Sequence, residues 1–231
     1  MKKLIITLVA LAMACAAFGQ DASGKFGGHE YVDLGLPSGT LWAIANVGAT
    51  STGGCGAYYA WGETTPKSSY TAGNYKFYLS GDSVLDMKFS KYGSGKNEAK
   101  RLAAQDDAAT ANFGAGWSMP TTDQAWELDK YCTWSPAYVG DTYGYVGTSK
   151  VNGNTIFFPC AGYARDSDVK MAGSQGYYAT SELGSFGQAY GAIFMLPEPE
   201  WGFVDSTPRT DGTSVRAVTS KEAVAEVEGA T

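Results

Sequence analysis

The sequence predicts an α+β fold, with short helices and a mainly antiparallel sheet joined by long loops. Three observations carry this. Residues 112–132, NFGAGWSMPTTDQAWELDKYC, contain a helix-start unit. Short alternating segments recur through the C-terminal half, punctuated by an Asn-Gly turn. The composition, with 30 glycines and 13% aromatic against 17% charged residues, suits a turn-rich, β-dominated chain.

The helix-start unit is the most informative stretch. Gly114 and Gly116 provide a tight turn, and Trp117 and Met119 follow as buried anchors. Pro120 stops any strand there, since it cannot donate a hydrogen bond. Thr121 and Gln124 have capping-box spacing, which predicts a helix over about residues 122–131. Ala125, Leu128 and Cys132 share its apolar face, with Trp126 beside them. Upstream, Asp106 or Asp107 can cap a shorter helix running through Ala111. Negative charge there also suits the positive end of the helix dipole.

Strands are expected at residues 31–34, 40–47 and 58–62, the last ending at Glu63, which reads as a turn carboxylate bonded to backbone. Residues 64–105 carry little pattern and read as a surface excursion. Further strands are expected at 143–149 and 155–159, flanking Asn152-Gly153-Asn154, a strong hairpin signal. The segments 176–181, 190–196 and 213–218 complete the set. Irregular loops fall at 164–173, 182–188 and 197–212. Helices first and strands later is an α+β order.

The two ends define the domain organisation. Lys2 and Lys3 precede an apolar run from Leu4 to Phe18, and Ala17 and Gly19 have signal-peptidase spacing, so residues 1–19 read as a signal peptide cleaved before Gln20. The run is too short to span a bilayer comfortably. A rival reading lipidates Cys15, although Leu11 stands one place too early for a lipobox. Residues 20–29 read as a linker, 30–219 as one domain and 220–231 as a flexible tail. The mature chain is expected outside the cytoplasm, whether secreted, periplasmic or at the cell surface, without membrane insertion. Cleavage removes two lysines and no acid, moving the net charge from −6 to −8. That balance argues against nucleic acid and anionic lipid as partners.

Outside the signal, Cys55, Cys132 and Cys160 remain. In an oxidising compartment they predict one disulfide and one thiol, with three pairings open. His29 is the sole histidine of the chain and reads as an exposed linker residue rather than a catalytic base. Among carboxylates, Asp166 and Asp168 share one loop, while Glu198, Glu200, Asp205 and Asp211 share another. Oxygen-rich loops can hold calcium, which makes Asp166, Asp168, Glu198 and Glu200 weak candidates, with no cofactor as the leading reading. Trp42, Trp61, Trp117 and Trp126 read as core. Trp201, Tyr177, Tyr178 and Tyr190 lie in or beside the C-terminal loops. Arg216, within an apolar strand, is expected to pair with a buried carboxylate.

Several motifs occur in a fixed order: EYVDLGLPSGTLWA at residues 30–43, YYAWGET at 58–64, DDAATANFGAGWSMPT at 106–121, NGNTIFFPCAGY at 152–163, GYYATS at 176–181 and GTSVRAV at 212–218. Together they resemble the Fibrobacter succinogenes major paralogous domain family, common in secreted and surface proteins. That family in turn resembles the C-type lectin-like fold, including its formylglycine-generating-enzyme branch. Met119-Pro120-Thr121, Trp126 and Val215-Arg216 stand where that branch has its Pro-Thr turn, helical Trp and closing Gly-x-Arg strand. The branch's catalytic cysteine motif is not recognisable around Cys160, so enzymatic activity is not carried over. Ala45 stands where relatives carry a cysteine, which leaves the usual partner of Cys132 in doubt. The resemblance implies a single C-type lectin-like domain.

The reading that follows is a non-enzymatic, adhesion-type domain whose loops at 164–188 and 197–212 meet a glycan or an extracellular protein. Trp201, Tyr178, Asp166 and Glu200 are the expected contacts. The alternatives are an enzyme, either of the formylglycine-generating branch or a carboxylate-based hydrolase, and a structural subunit of a surface assembly.

Overall fold

The computed structural model describes residues 22–93, 98–184, 190–197 and 203–229. In chain order the elements are β1 (Gly24–Phe26), β2 (His29–Asp33), β3 (Thr40–Ala43), β4 (Tyr59–Ala60), β5 (Tyr78–Ser80) and β6 (Lys88–Phe89). The helices α1 (Ala108–Phe113) and α2 (Thr122–Tyr131) follow. Then come β7 (Cys132–Val139), β8 (Thr142–Ser149), β9 (Thr155–Pro159), β10 (Tyr163–Arg165), β11 (Asp168–Lys170) and β12 (Gly176–Leu183). The chain closes with β13 (Tyr190–Leu196), β14 (Val204–Pro208), β15 (Gly212–Thr213), β16 (Val218–Ser220) and α3 (Lys221–Glu228). This is an α+β arrangement dominated by antiparallel sheet. None of the described helices is long and apolar enough to cross a membrane. The expected signal peptide and Cys15 lie outside the described residues.

The strands form sheets ordered β1-β2-β3-β16, β11-β10-β15-β4, β12-β13-β14 and β7-β8-β9, with β5-β6 as a separate hairpin. The first sheet joins the two ends of the domain, with Val218 opposite Trp42. All four residues of β3 are buried, because a strand flanked on both edges and covered on both faces loses alternation. Cores lie on either side. One gathers Trp61, Tyr75, Phe77, Trp117 and Met119, and the other Trp42, Leu128, Phe158, Tyr178 and Phe194.

The helix-start unit forms as its residues require. Asp107 caps α1 by accepting from Thr110 N (3.0 Å), and the same carboxylate accepts from Met119 N (2.9 Å). One side chain therefore caps the helix and holds the following turn. Thr121 and Gln124 make the reciprocal capping box of α2. Trp117 is buried and donates its indole N–H to Phe26 O (3.2 Å). Trp126 departs from its expected core role. It is 44% exposed, since it stands about 100° around the helix from Ala125.

Several other expectations are corrected. The 213–218 strand splits into β15 and β16. Between them the backbone alternates partners: Ser214 N donates to Tyr177 O and Val47 N to Val215 O, while Ala43 N donates to Ala217 O. The loop at 150–154 is longer than a two-residue turn, and Gly153 takes positive φ (81°). Asn152 and Asn154 instead donate their side-chain amides to Asp33 O. Strand β7, unforeseen because Pro136 interrupts its pattern, is an edge strand, where proline is tolerated. Residues 24–26 of the expected linker form β1. In the expected loose tail, Ser220 caps α3 and Val224 is buried.

Arg216 is fully buried and its partner is no carboxylate. Its guanidinium donates to Asn46 Oδ1 (2.9 Å), Ala43 O (3.1 Å), Ile44 O (3.3 Å) and Phe157 O (2.9 Å). It also lies 4.4 Å from the Phe158 ring centroid. Burial lowers its pKa to about 10, which leaves it charged at neutral pH. A second buried arginine, Arg209, anchors the 64–105 excursion through Tyr75 Oη (2.7 Å), Tyr92 O (2.7 Å) and Lys91 O (3.0 Å). Asp106 completes that anchor, bonded to Lys76 Nζ (2.6 Å), Lys91 Nζ and Tyr92 Oη (2.6 Å). Glu63 accepts from Lys76 N (2.7 Å), the backbone role expected of it.

Two predictions follow from these charges. Arg216→Met should cost about 3–5 kcal/mol in denaturant unfolding, because it strips donors from buried acceptors. Burial alone would raise the Asp106 pKa, but hydrogen bonds from Lys76, Lys91 and Tyr92 outweigh it and hold it at about 2. Its stabilisation is complete above the unfolded value near 4 and is lost as pH falls from about 4 to 2. Asp106→Asn should therefore cost about 1–2 kcal/mol at neutral pH, given its half-exposed lysine partners. It should also flatten that part of an acid-denaturation curve.

Candidate functional site

A candidate site lies where the two expected binding loops meet the 64–105 excursion. Strands β10 and β11 form a tight hairpin, with Arg165 opposite Asp168. Asp166 takes its first loop position at φ 55°, a left-handed conformation that aspartate tolerates better than most side chains. Its backbone is bridged to Tyr70 in both directions, at 2.7 and 2.9 Å. The Asp166 carboxylate is therefore exposed on a rigid main chain.

Arg165 reaches across to Asp211 in a two-pronged contact, Nε to Oδ1 at 3.0 Å and Nη2 to Oδ2 at 2.6 Å. Thr207 Oγ1 also donates to Asp211 (3.2 Å). Burial pushes the Asp211 carboxyl up, and Arg165 pulls it back down. The hydrogen bonding that Arg165 donates to Asp211 is the main cause that raises the Arg165 pKa. Of the five guanidinium N–H groups, three remain without a protein acceptor among the described residues. Tyr70 packs flat against Gly212, where a Cβ would stand 2.6 Å from its ring, and its hydroxyl donates to Tyr58 O.

These residues line an open cleft of about 320 Å³, bounded also by Thr71, Val84, Pro208 and Thr210. It offers a carboxylate acceptor, guanidinium donors, hydroxyls and a small apolar wall. That combination suits a polar, hydroxyl- or amide-bearing ligand.

The other expected site residues fall differently. Tyr178 is a correction. It is fully buried, stacked on Phe194 at 5.1 Å, and its hydroxyl donates to Pro159 O (2.6 Å). Alternation in β12 turns it into the core, while Tyr177 faces the opposite side. Asp168 is exposed and ion-paired with Lys170 (2.6 Å). No group of three or more His, Cys, Asp or Glu able to hold a metal occurs among the described residues. Trp201, Glu198 and Glu200 lie outside the described residues. The described end of their loop turns inward, with Phe203, Arg209 and Asp211 buried.

The expected disulfide is not formed in this structure, in which Cys55, Cys132 and Cys160 are all thiols. Burial pushes Cys132 up to about 12 and Cys160 to about 11. His29 is not an exposed linker residue. Its ring stacks on Phe113 at 3.6 Å and 5°, on the wall of a second cleft of about 510 Å³ shared with Lys25, Glu30 and Ser51. Burial and Lys25 lower its pKa.

Of the residues lining this cleft, the sequence singles out Asp166 but not Arg165 or Tyr70. The run Tyr163-Ala-Arg-Asp-Ser-Asp has the alternation and polar tip of a hairpin, which was the available signal for Arg165. Nothing local in the sequence marks Tyr70. Comparison with family models, curated proteins and solved structures finds no match to this chain.

Proposed function

We propose that this chain is a secreted or surface-exposed, non-enzymatic binding domain on a C-type lectin-like scaffold. It takes a glycan or an extracellular protein at the cleft between the 164–184 segment, the 203–212 segment and Tyr70. The observation that carries this reading is the pairing of Arg165 with Asp211 beside the exposed, rigidly held Asp166. It leaves guanidinium donors and a carboxylate acceptor at one opening, set on backbone that cannot relax away. Preorganised polar groups of this kind lower the cost of binding.

The thiols favour binding over cysteine chemistry. A nucleophilic cysteine needs a depressed pKa, and burial moves Cys132 and Cys160 the other way. The ordered motifs of the paralogous domain family add the scaffold and the surface location to this reading.

The test is a glycan and extracellular-protein array probed with the purified mature chain, followed by titration of the hits. Asp166→Asn keeps a residue suited to positive φ while removing the charge. It should weaken binding about tenfold, the loss of one charge-assisted hydrogen bond, with the thermal midpoint unchanged. Full-strength binding by that variant and by Arg165→Lys would remove the cleft from the proposal.

A further inference from the structure

The three thiols are not equivalent in place. In the β7-β8-β9 sheet, Cys132 opens β7 opposite Ser149, at one end. Cys160 directly follows β9 and donates its N–H to Tyr143 O (2.9 Å), and Tyr143 in turn faces Tyr138. Cys160 is therefore level with Tyr138, six residues along β7 from Cys132. At about 3.3 Å per residue that is on the order of 20 Å, and a disulfide closes only between Cα atoms less than about 7 Å apart.

Cys55 lies at the Cys160 end. Gly53 sits so close to β7 that a Cβ there would stand 2.8 Å from Val139 O, at the hairpin tip. Asn46 Nδ2 donates to Cys55 O (2.9 Å), and Asn46 Oδ1 accepts from Arg216, which also holds Phe157 O. From the other side, the Tyr58 hydroxyl donates to Ala161 O, next to Cys160. Both thiols lie near one neighbour: burial raises the Tyr178 pKa, the Arg216 charge and the Asn46 hydrogen bond lower it, and Cys160 and Cys55 each add a smaller rise. Cys160 is 2% exposed, whereas Cys55 is half-buried and can be reached from solvent.

We propose that Cys55 and Cys160 form the intramolecular disulfide of this chain, and that Cys132 remains a thiol. The step is thiol–disulfide exchange with glutathione disulfide or a protein disulfide. Cys55, as its thiolate, attacks one sulfur of the exchange partner. This forms a mixed disulfide and expels one partner thiolate. Cys160 then loses its proton and attacks Cys55 Sγ, expelling the second. Two protein thiols give up two electrons and two protons, and the partner disulfide becomes two thiols. The order follows from exposure, since only Cys55 meets the partner from solvent.

The inference stands apart from the binding proposal, because no residue of the cleft takes part. The test is peptide mapping by mass spectrometry of the purified chain after incubation with glutathione disulfide, without reductant, and alkylation in denaturant. A linked Cys55–Cys160 peptide is expected, with Cys132 alone alkylated. Cys132→Ala should keep the link. Cys55→Ser should abolish it while leaving the fold intact, because Asn46 is held by the backbone carbonyl of residue 55. A linked peptide containing Cys132 would overturn the assignment. So would three alkylated thiols, or a Cys55–glutathione adduct that persists while Cys160 is alkylated.

Discussion

A single buried guanidinium organises this molecule. Arg216 lies where the last strand segment crosses between the two cores, and its donors reach the end of β3, the Asn46 side chain and β9. A charge withdrawn from water is tolerable only when its hydrogen-bonding capacity is used. The acceptors must therefore stand where the guanidinium needs them. That requirement couples the N-terminal sheet to the β7-β8-β9 sheet through one side chain. The backbone around it behaves likewise, with Ser214, Val215 and Ala217 bonding to different neighbours in turn.

The same device is used a second time with a different consequence. Arg209 lies over the rings of Trp61 and Phe89, at 4.8 and 4.4 Å, and donates to the backbone of the 64–105 excursion. Tyr70, Tyr75, Phe77, Tyr92 and Leu102 of this segment are buried in the first core. Here a buried cation, aromatic faces and the Asp106 network hold it. Once held, the excursion supplies Tyr70, whose two backbone bonds to Asp166 set the floor of the cleft. The polar core of one region thereby positions the cleft residues of another.

Legibility in the sequence followed the range of the interactions. The α2 helix, its capping box and the strands β9 and β13 were readable because their signals lie within a few residues: Thr121 with Gln124, or an apolar run between turn residues. Arg216 was readable as buried, but its partners were not. They are the Asn46 side chain and three main-chain carbonyls, all far away in sequence, and main-chain carbonyls leave no mark on composition. Tyr178 shows the reverse error. Its loop-adjacent position suggested exposure, whereas the parity of β12 decided which of Tyr177 and Tyr178 entered the core, and parity depends on register. Asp166 stands out in the sequence because a polar turn residue is locally conspicuous. Arg165 and Tyr70 were missed because their role arises only on meeting Asp211 and Asp166.

By itself the sequence determined where α1 and α2 begin, where the chain must turn, that Trp42, Trp61 and Trp117 belong to the core and how acidic the molecule is. These depend on local sterics, capping and summed charge. Tertiary structure alone decided which acids are paired, which tyrosine is buried, which loop turns inward and which thiols share one end of a sheet. These depend on how segments from about fifteen to more than a hundred residues apart come together, which pairing register and close packing establish only when the whole chain has folded.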